Sequence, residues 1–223
     1  MSSLLKITTL TTLIALIALI LPMQGADSKL DTAPLKAWLK NQAKLVSLHA
    51  EFTQERSLPA LTNPISTPGT LSLHRDGRMR WNLGDPTRTI AISDGKNVQL
   101  IDLKKQRQRT IPADSPKARP FTLLSHQALG HGLEGFTANF ELIKSRKTRG
   151  IYQLTTRPRD AKLRRHIPYV FFDIDLEDHS LRALEILLKD DSRIRTIFTQ
   201  VTLNPDLPEN TFQYKPESTS PQP

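Results

Sequence analysis

The 223-residue chain contains no cysteine. That excludes a disulfide framework, a thiolate metal site and a cysteine-linked lipid anchor together, so the protein is not itself a lipoprotein. Long apolar runs are equally scarce: beyond residue 25 none approaches the roughly 20 residues that cross a bilayer as a helix. Aromatics make up 6% of the residues and are nearly missing from the basic clusters Lys104 to Arg109 and Lys144 to Arg165. Single-stranded nucleic acid is bound by cations and aromatics interleaved, so nucleic acid is not an expected partner. Signatures of catalysis are missing too. There is no Gly-x-Ser-x-Gly elbow, no phosphate-binding glycine loop and no paired-histidine metal motif, and His126 and His131 stand five apart, off one helical face. Asp173 and Asp175 share a strand face and have the chemistry of an acid and base pair, but read first as solvated outward carboxylates. No enzyme, metal or cofactor is expected.

What is present starts with Lys6, an uncharged stretch from Ile7 to Gly25, and then Pro22, Gly25 and Ala26 as breaker and small residues. This is the pattern of a secretory signal peptide cleaved near Ala26. The expected plan is a signal peptide over residues 1–26, one domain over 27–215, and a disordered tail over 216–223, where nothing apolar is available to bury. The product of about 195 residues is enough for a single core and is expected to be soluble and monomeric. Lysine and arginine number 31 against 22 acidic residues, a formal net charge of +9 from which cleavage removes only Lys6. An exported basic protein suits an anionic membrane surface or an acidic partner.

From Asp31 to Val46, Leu35, Trp38, Leu39, Gln42, Leu45 and Val46 fall on one helical stripe, with Asp31 or Thr32 as cap and Pro34 in the first turn. The period then becomes two. Leu71 and Leu73, then Met79, Trp81 and Leu83, alternate with polar residues around Asp76-Gly77. A two-residue loop there would put the two apolar sets on opposite faces; the odd loop Arg75-Asp76-Gly77 pairs Leu73 with Met79 and Leu71 with Trp81. The same reasoning at Asp94-Gly95-Lys96 predicts Ile92 opposite Val98 and Ile90 opposite Leu100. A basic strand or loop is expected between Ile101 and Ile111, then a helix from Ser115 to about Leu129 ended by Gly130 and Gly132. Strands are expected over Thr137–Ile143, Ile151–Thr156, Tyr169–Leu176, Leu181–Leu188 and Arg193–Leu203.

Several segments in one order carry a family resemblance. They are Leu48-His49-Ala50-Glu51-Phe52-Thr53-Gln54, Gly69-Thr70-Leu71 through Trp81, Asp85-Pro86, Ile92-Ser93-Asp94-Gly95-Lys96, Val201-Thr202-Leu203-Asn204-Pro205 and Thr211 to Pro216. Together they are similar to the LolA-type outer-membrane lipoprotein carriers across essentially the whole mature chain. The resemblance implies a mainly β (α+β) fold: an unclosed, curved antiparallel β-barrel, LolA/LolB-like, with helices forming a lid over an apolar cavity. It implies a periplasmic chaperone that takes acylated lipoproteins from an inner-membrane transporter to an outer-membrane receptor. It also implies that Arg75, at the end of the strand before Trp81, latches the lid. The segment Ser57 to Pro68 resembles instead a LolA-like branch found beside other lipid and glycolipid export systems, and Arg157 to His166 is more basic than the archetype.

Each methylene taken from water contributes about 0.8 kcal/mol, so a chain of a dozen or more gives roughly 10 kcal/mol of gross drive with no catalytic group. Residues expected to line the cavity are Phe52, Leu71, Leu73, Met79, Trp81, Ile90, Ile92, Val98, Leu100, Phe172, Ile174, Leu184, Ile186 and Ile197. Periodicity alone makes these ordinary core; the cavity comes from the resemblance. A basic surface of Lys104, Lys105, Arg107, Arg157, Arg159, Lys162, Arg164 and Arg165 is expected to meet a partner protein or lipid headgroups. Three functions stand open: lipoprotein carrier, carrier of another lipid or glycolipid, and a non-transporting lipid-binding envelope sensor.

Overall fold

A computed structural model of the protein describes residues 30–115, 118, 121 and 131–215. The expected signal peptide, the tail and most of the helix expected over Ser115–Leu129 lie outside them. The described elements are α1 (Ala33–Gln42), β1 (Ser47–Ser57), β2 (Ile65–His74), β3 (Arg78–Leu83), β4 (Thr89–Asp94), β5 (Asn97–Asp102) and β6 (Arg107–Pro112). Then come α2 (Gly132–Asn139), β7 (Phe140–Thr148), β8 (Ile151–Pro158), α3 (Ala161–Arg164), β9 (Tyr169–Asp175), β10 (Leu181–Leu187), β11 (Arg193–Leu203) and a 3-10 turn, Glu209–Phe212.

All eleven strands form one antiparallel sheet, ordered β6-β5-β4-β3-β2-β1-β11-β10-β9-β8-β7. Two meanders, each pairing neighbours in sequence, are joined by β1 against β11. Strands β6 and β7 stand at the two ends, each paired on one side only among the described residues, so the curved sheet is open. Both carry exposed cations, Arg107 and Arg109 on β6, Lys144, Arg146 and Lys147 on β7. Charge on a free edge discourages pairing with another chain.

The β2–β3 hairpin has the odd loop: Leu73 opposes Met79 and Leu71 opposes Trp81, with Gly77 at φ 95. The β4–β5 hairpin departs from expectation. Ser93 opposes Val98, Ala91 opposes Leu100, and Ile90 and Ile92 oppose Ile101 and Gln99. At the turn the Asp94 carboxylate accepts from the amides of Lys96 and Asn97 at 2.8 and 2.7 Å, and only Gly95-Lys96 separates the strands. Pairing shifted by one residue reverses the facing of β4 relative to β5.

The concave face carries the main core. There α1 buries Leu35, Trp38 and Leu39, with Trp38 against Phe136 of α2 and Phe172 of β9, centroids 6.3 and 5.7 Å apart. That packing explains a second departure. Residues 137–139, expected in a strand, end α2, which begins at Gly132, φ 65. Leu133, Phe136 and Phe140 recur at helical spacing, and burial of Phe136 selects the helix. On the convex face the C-terminal segment crosses β3 and β4. Tyr214 and Leu103 pack on Ile90, Ile92 and Ile101, while Arg80 donates to the carbonyls of Thr211 and Gln213 at 3.3 and 2.9 Å.

Candidate functional site

Beneath α1 the concave face keeps a hollow of about 100 Å³. Its apolar walls come from Trp38 and Leu45 above, Leu48 and Ala50 of β1, Leu71 and Leu73 of β2, Leu181 of β10, and Phe198, Val201 and Leu203 of β11. Asn41, Gln42 and the β9–β10 turn, Asp178-His179-Ser180, complete it. Leu48, Ala50 and Phe52 share a face because β1 alternates, and they meet β11 in register through a bulge that skips Thr199. Val46, Val201 and Leu203 are exposed large apolar residues, so the wall runs out into an apolar rim.

Deeper in, Phe52 closes the floor. Its ring lies 4.4 Å from that of Trp81 and 6.4 Å from that of Phe198. It has room only because its neighbour on β2 is Gly69, where a Cβ would sit 2.3 Å from the ring and 2.5 Å from the Asn82 carbonyl. An aromatic ring over a strand glycine is a packing device of curved sheets.

The cover is tied at both ends. Preceding α1, the Asp31 carbonyl accepts from the Tyr152 hydroxyl at 2.5 Å, and the Asp31 carboxylate meets Lys147 at 2.7 Å and the Ala33 amide at 2.9 Å. The Lys147 hydrogen bond, followed by that amide, holds the Asp31 carboxyl below its usual pKa. Thr32 makes no side-chain cap. After α1, Arg75 donates through Nε to the Leu45 carbonyl at 3.1 Å and through its amide to Val46 at 2.8 Å.

Of the residues expected to line a cavity, Leu71 and Leu73 border the hollow. Phe52, Met79, Trp81, Val98, Leu100, Phe172, Ile174, Leu184 and Ile186 belong to the concave core around it. Ile90 and Ile92 do not: the β4–β5 turn puts them under the C-terminal segment on the convex side. Ile197 does not either. On β11 the concave positions are Ile194, Thr196 and Phe198, since Thr196 opposes Leu184, Ile194 opposes Ile186 and Phe198 opposes Phe52. Sequence reasoning missed Trp38, Leu45, Leu48, Phe198 and the turn at Ser180 as wall. The alternation Leu48, Ala50, Phe52 was available to find part of it; the bulge beside Phe52 carried no signal.

The basic surface divides. Lys104, Lys105 and Arg107 project from the β5–β6 hairpin, and Lys162 and Arg165 are exposed around α3. The other three are occupied: Arg157 with the Tyr169 hydroxyl at 3.0 Å, Arg159 with the Thr137 carbonyl at 2.6 Å, and Arg164 with the Pro158 carbonyl at 3.1 Å. Asp173 and Asp175 are not free carboxylates. Asp173 is buried and pairs with Arg195 at 2.5 Å, while Asp175 pairs with Arg182 at 3.1 Å. No cluster of three or more metal-ligating side chains occurs among the described residues.

An open antiparallel half-barrel whose apolar concave face is roofed by a tethered helix presents a hollow suited to an apolar ligand. The family model described as outer membrane lipoprotein carrier protein LolA matches residues 43–215, and the chain belongs to that family. It is similar to an outer-membrane lipoprotein carrier protein of Dechloromonas aromatica, 24% identical over 198 residues covering 88% of each chain. A second, from Albidiferax ferrireducens, is 25% identical over 171 residues, 75% of this chain and 79% of that one. Among solved structures, an uncharacterized conserved protein from Thermus thermophilus superposes with a TM-score of 0.50 at 9% identity, over 84% of this chain and 96% of that one. A LolA superfamily protein from Nitrosomonas europaea gives 0.43 at 10% identity, over 80% and 97%.

Proposed function

We propose that the chain is a periplasmic carrier that takes the acyl chains of lipoproteins beneath α1 and conveys them from the inner to the outer membrane. The observation that carries this reading is the apolar hollow under a helix tied at its two ends, opening onto the exposed rim of Val46, Val201 and Leu203. At about 100 Å³ the hollow is smaller than the roughly 300–1,000 Å³ of ligand pockets, so an acyl chain enters by lifting α1. Exposing Leu35, Trp38 and Leu39 costs at most about 3 kcal/mol each, less in sum than the roughly 10 kcal/mol gross gain from a long acyl chain. The near balance suits a carrier, which must release as well as bind. Arg75 serves as the latch: its bond to the Leu45 carbonyl ties down the segment that follows α1.

The test is release of lipoprotein from spheroplast membranes. Purified protein should bring an acylated lipoprotein into a soluble complex and leave its unacylated variant unbound. Absence of a complex with the acylated form refutes the reading, and mass spectrometry of the bound lipid assigns the cargo between lipoprotein and another lipid.

A further inference from the structure

The hollow draws on one end of the half-barrel, where the β9–β10 turn and Leu203 stand. The opposite end gathers the turns β1–β2, β3–β4, β5–β6, β8–β9 and β10–β11. Between their strands these five turns hold eight lysines and arginines against four aspartates, a net +4. The four strand-to-strand turns at the hollow's end hold three cations against three carboxylates, a net of zero. The two ends of one sheet therefore present different charge.

In the middle of the cationic end the β1–β2 tip is of another kind. From Ser57 to Leu73 no residue is charged or titratable, in a chain of which 24% is charged. Every residue from Ser57 to Ser66 is exposed except the half-buried Leu58. Leu61 is 47% exposed and Ile65 50%. The hairpin also projects, because the β2–β3 ladder stops at Gly69 opposite Leu83 and leaves Ile65 to Pro68 beyond it. Cations adjoin the tip. Arg56 opposes Ile65 and lies beside Asp190 of the β10–β11 turn, whose carboxyl it helps to lower after the amide and hydroxyl of Ser192. In that same turn the Lys189 amide donates to the His166 carbonyl at 3.0 Å, which brings the α3 segment alongside with its exposed Lys162 and Arg165.

We propose that this end of the half-barrel docks on an anionic lipid bilayer, with Leu61 and Ile65 entering the interface and Arg56, Lys162 and Arg165 meeting headgroups. An uncharged apolar tip bordered by cations matches the two layers of such a surface, hydrocarbon below and negative charge above. An acidic protein face would match the cations but would set carboxylates against a tip with nothing to pair them. The docking surface shares no residue with the lining of the hollow, and the inference goes beyond the carrier reading without requiring it.

The experiment is co-sedimentation of the protein, purified from the periplasm, with two kinds of vesicle: phosphatidylethanolamine with phosphatidylglycerol, and phosphatidylcholine alone. Every variant carries the same N-terminus, so only the substituted residues differ. The wild type should bind the anionic vesicles at least about tenfold more strongly and lose that preference at high salt. Leu61→Ser with Ile65→Ser should weaken binding by about tenfold or more. Lys162→Gln and Arg165→Gln should each weaken it about fivefold, while Lys96→Gln at the opposite end stays within twofold. All these positions are exposed, so an unchanged melting temperature verifies folding. A wild type without preference for anionic vesicles overturns the proposal, and so does binding that survives the loss of both tip side chains. If the tip variants bind vesicles normally but convert a wild-type dimer to monomer, the tip is an interface between copies and the proposal falls. Acyl-chain uptake should be equal in all variants; its absence from a wild type that still docks refutes the carrier reading and leaves this one standing.

Discussion

Gly69→Ala is the sharpest available probe of how the concave face is shaped. Gly69 does not have a left-handed φ, so alanine is allowed by the backbone, and its smaller unfolded-state entropy alone favours the variant by about 0.4–1 kcal/mol. Packing opposes it. The new methyl would meet the Phe52 ring at 2.3 Å and the Asn82 carbonyl at 2.5 Å. The ring is hemmed in by Trp81 and Phe198, whose centroids are 4.4 and 6.4 Å away, and the carbonyl belongs to the β2–β3 ladder. Overpacking of this kind costs about 1–3 kcal/mol, with two contacts placing it at the upper end, so the clash outweighs the entropy gain. The expected net loss is about 2 kcal/mol, or roughly 4–8 °C in melting temperature for a domain of this size. Urea unfolding followed by circular dichroism measures it. A variant as stable as the wild type would show that Phe52 and β3 are not packed as described, and the floor of the hollow would have to be redrawn.

Arg75→Leu should change stability by no more than about 0.5 kcal/mol, since the residue is exposed, yet slow cargo transfer about fivefold by removing the bond to the Leu45 carbonyl that the proposed latch uses. Transfer from loaded protein to acceptor vesicles checks this, and unchanged transfer removes Arg75 as latch. Asp173→Asn should cost about 1–2 kcal/mol by breaking the pair with Arg195, while cargo binding stays intact because the pair lies on the convex face. Impaired binding without impaired folding would contradict that placement. Acid should weaken the fold through Asp31, Asp94, Asp175 and Asp190, whose carboxyls are lowered by hydrogen bonds: from Lys147 for Asp31, Asn97 for Asp94, Glu177 for Asp175 and Ser192 for Asp190. A depressed folded pKa gives stability that is complete above the unfolded value of about 4 and is lost as pH falls below it. The urea midpoint should therefore be flat from pH 7 to 5 and fall below about pH 4; a decline that begins near pH 6 would point to histidine instead.

Local chemistry was legible wherever one element decided its own geometry. The β2–β3 register followed from the parity of Leu71, Leu73, Met79 and Trp81 around Gly77, and β11 spans the residues expected for it. The apolar stripe Leu35, Trp38, Leu39 identified α1. Where the turn count or the parity was open, reading failed. Pairing shifted by one residue at the Asp94 turn put Ile90 and Ile92 on the other face, and both parities of β11 hold an apolar residue, so Ile197 and Phe198 could not be told apart. Phe136 shows the same limit for secondary structure, since only its partners across the fold make residues 132–139 helical.

By itself, then, the amino-acid order determined half-buried strands and one amphipathic helix, because period-two and period-3.6 patterns are properties of neighbouring residues, while the open, curved barrel was implied by the family resemblance. Tertiary structure decided which apolar face became wall and which became support for the C-terminal segment, that Tyr152 and Arg75 meet the two ends of α1, and that Trp38 and Ser180 share a hollow. These depend on bulges, turn lengths and contacts between residues far apart in the chain, 30 positions for Arg75 and Leu45 and 121 for Tyr152 and Asp31, and no local pattern encodes them.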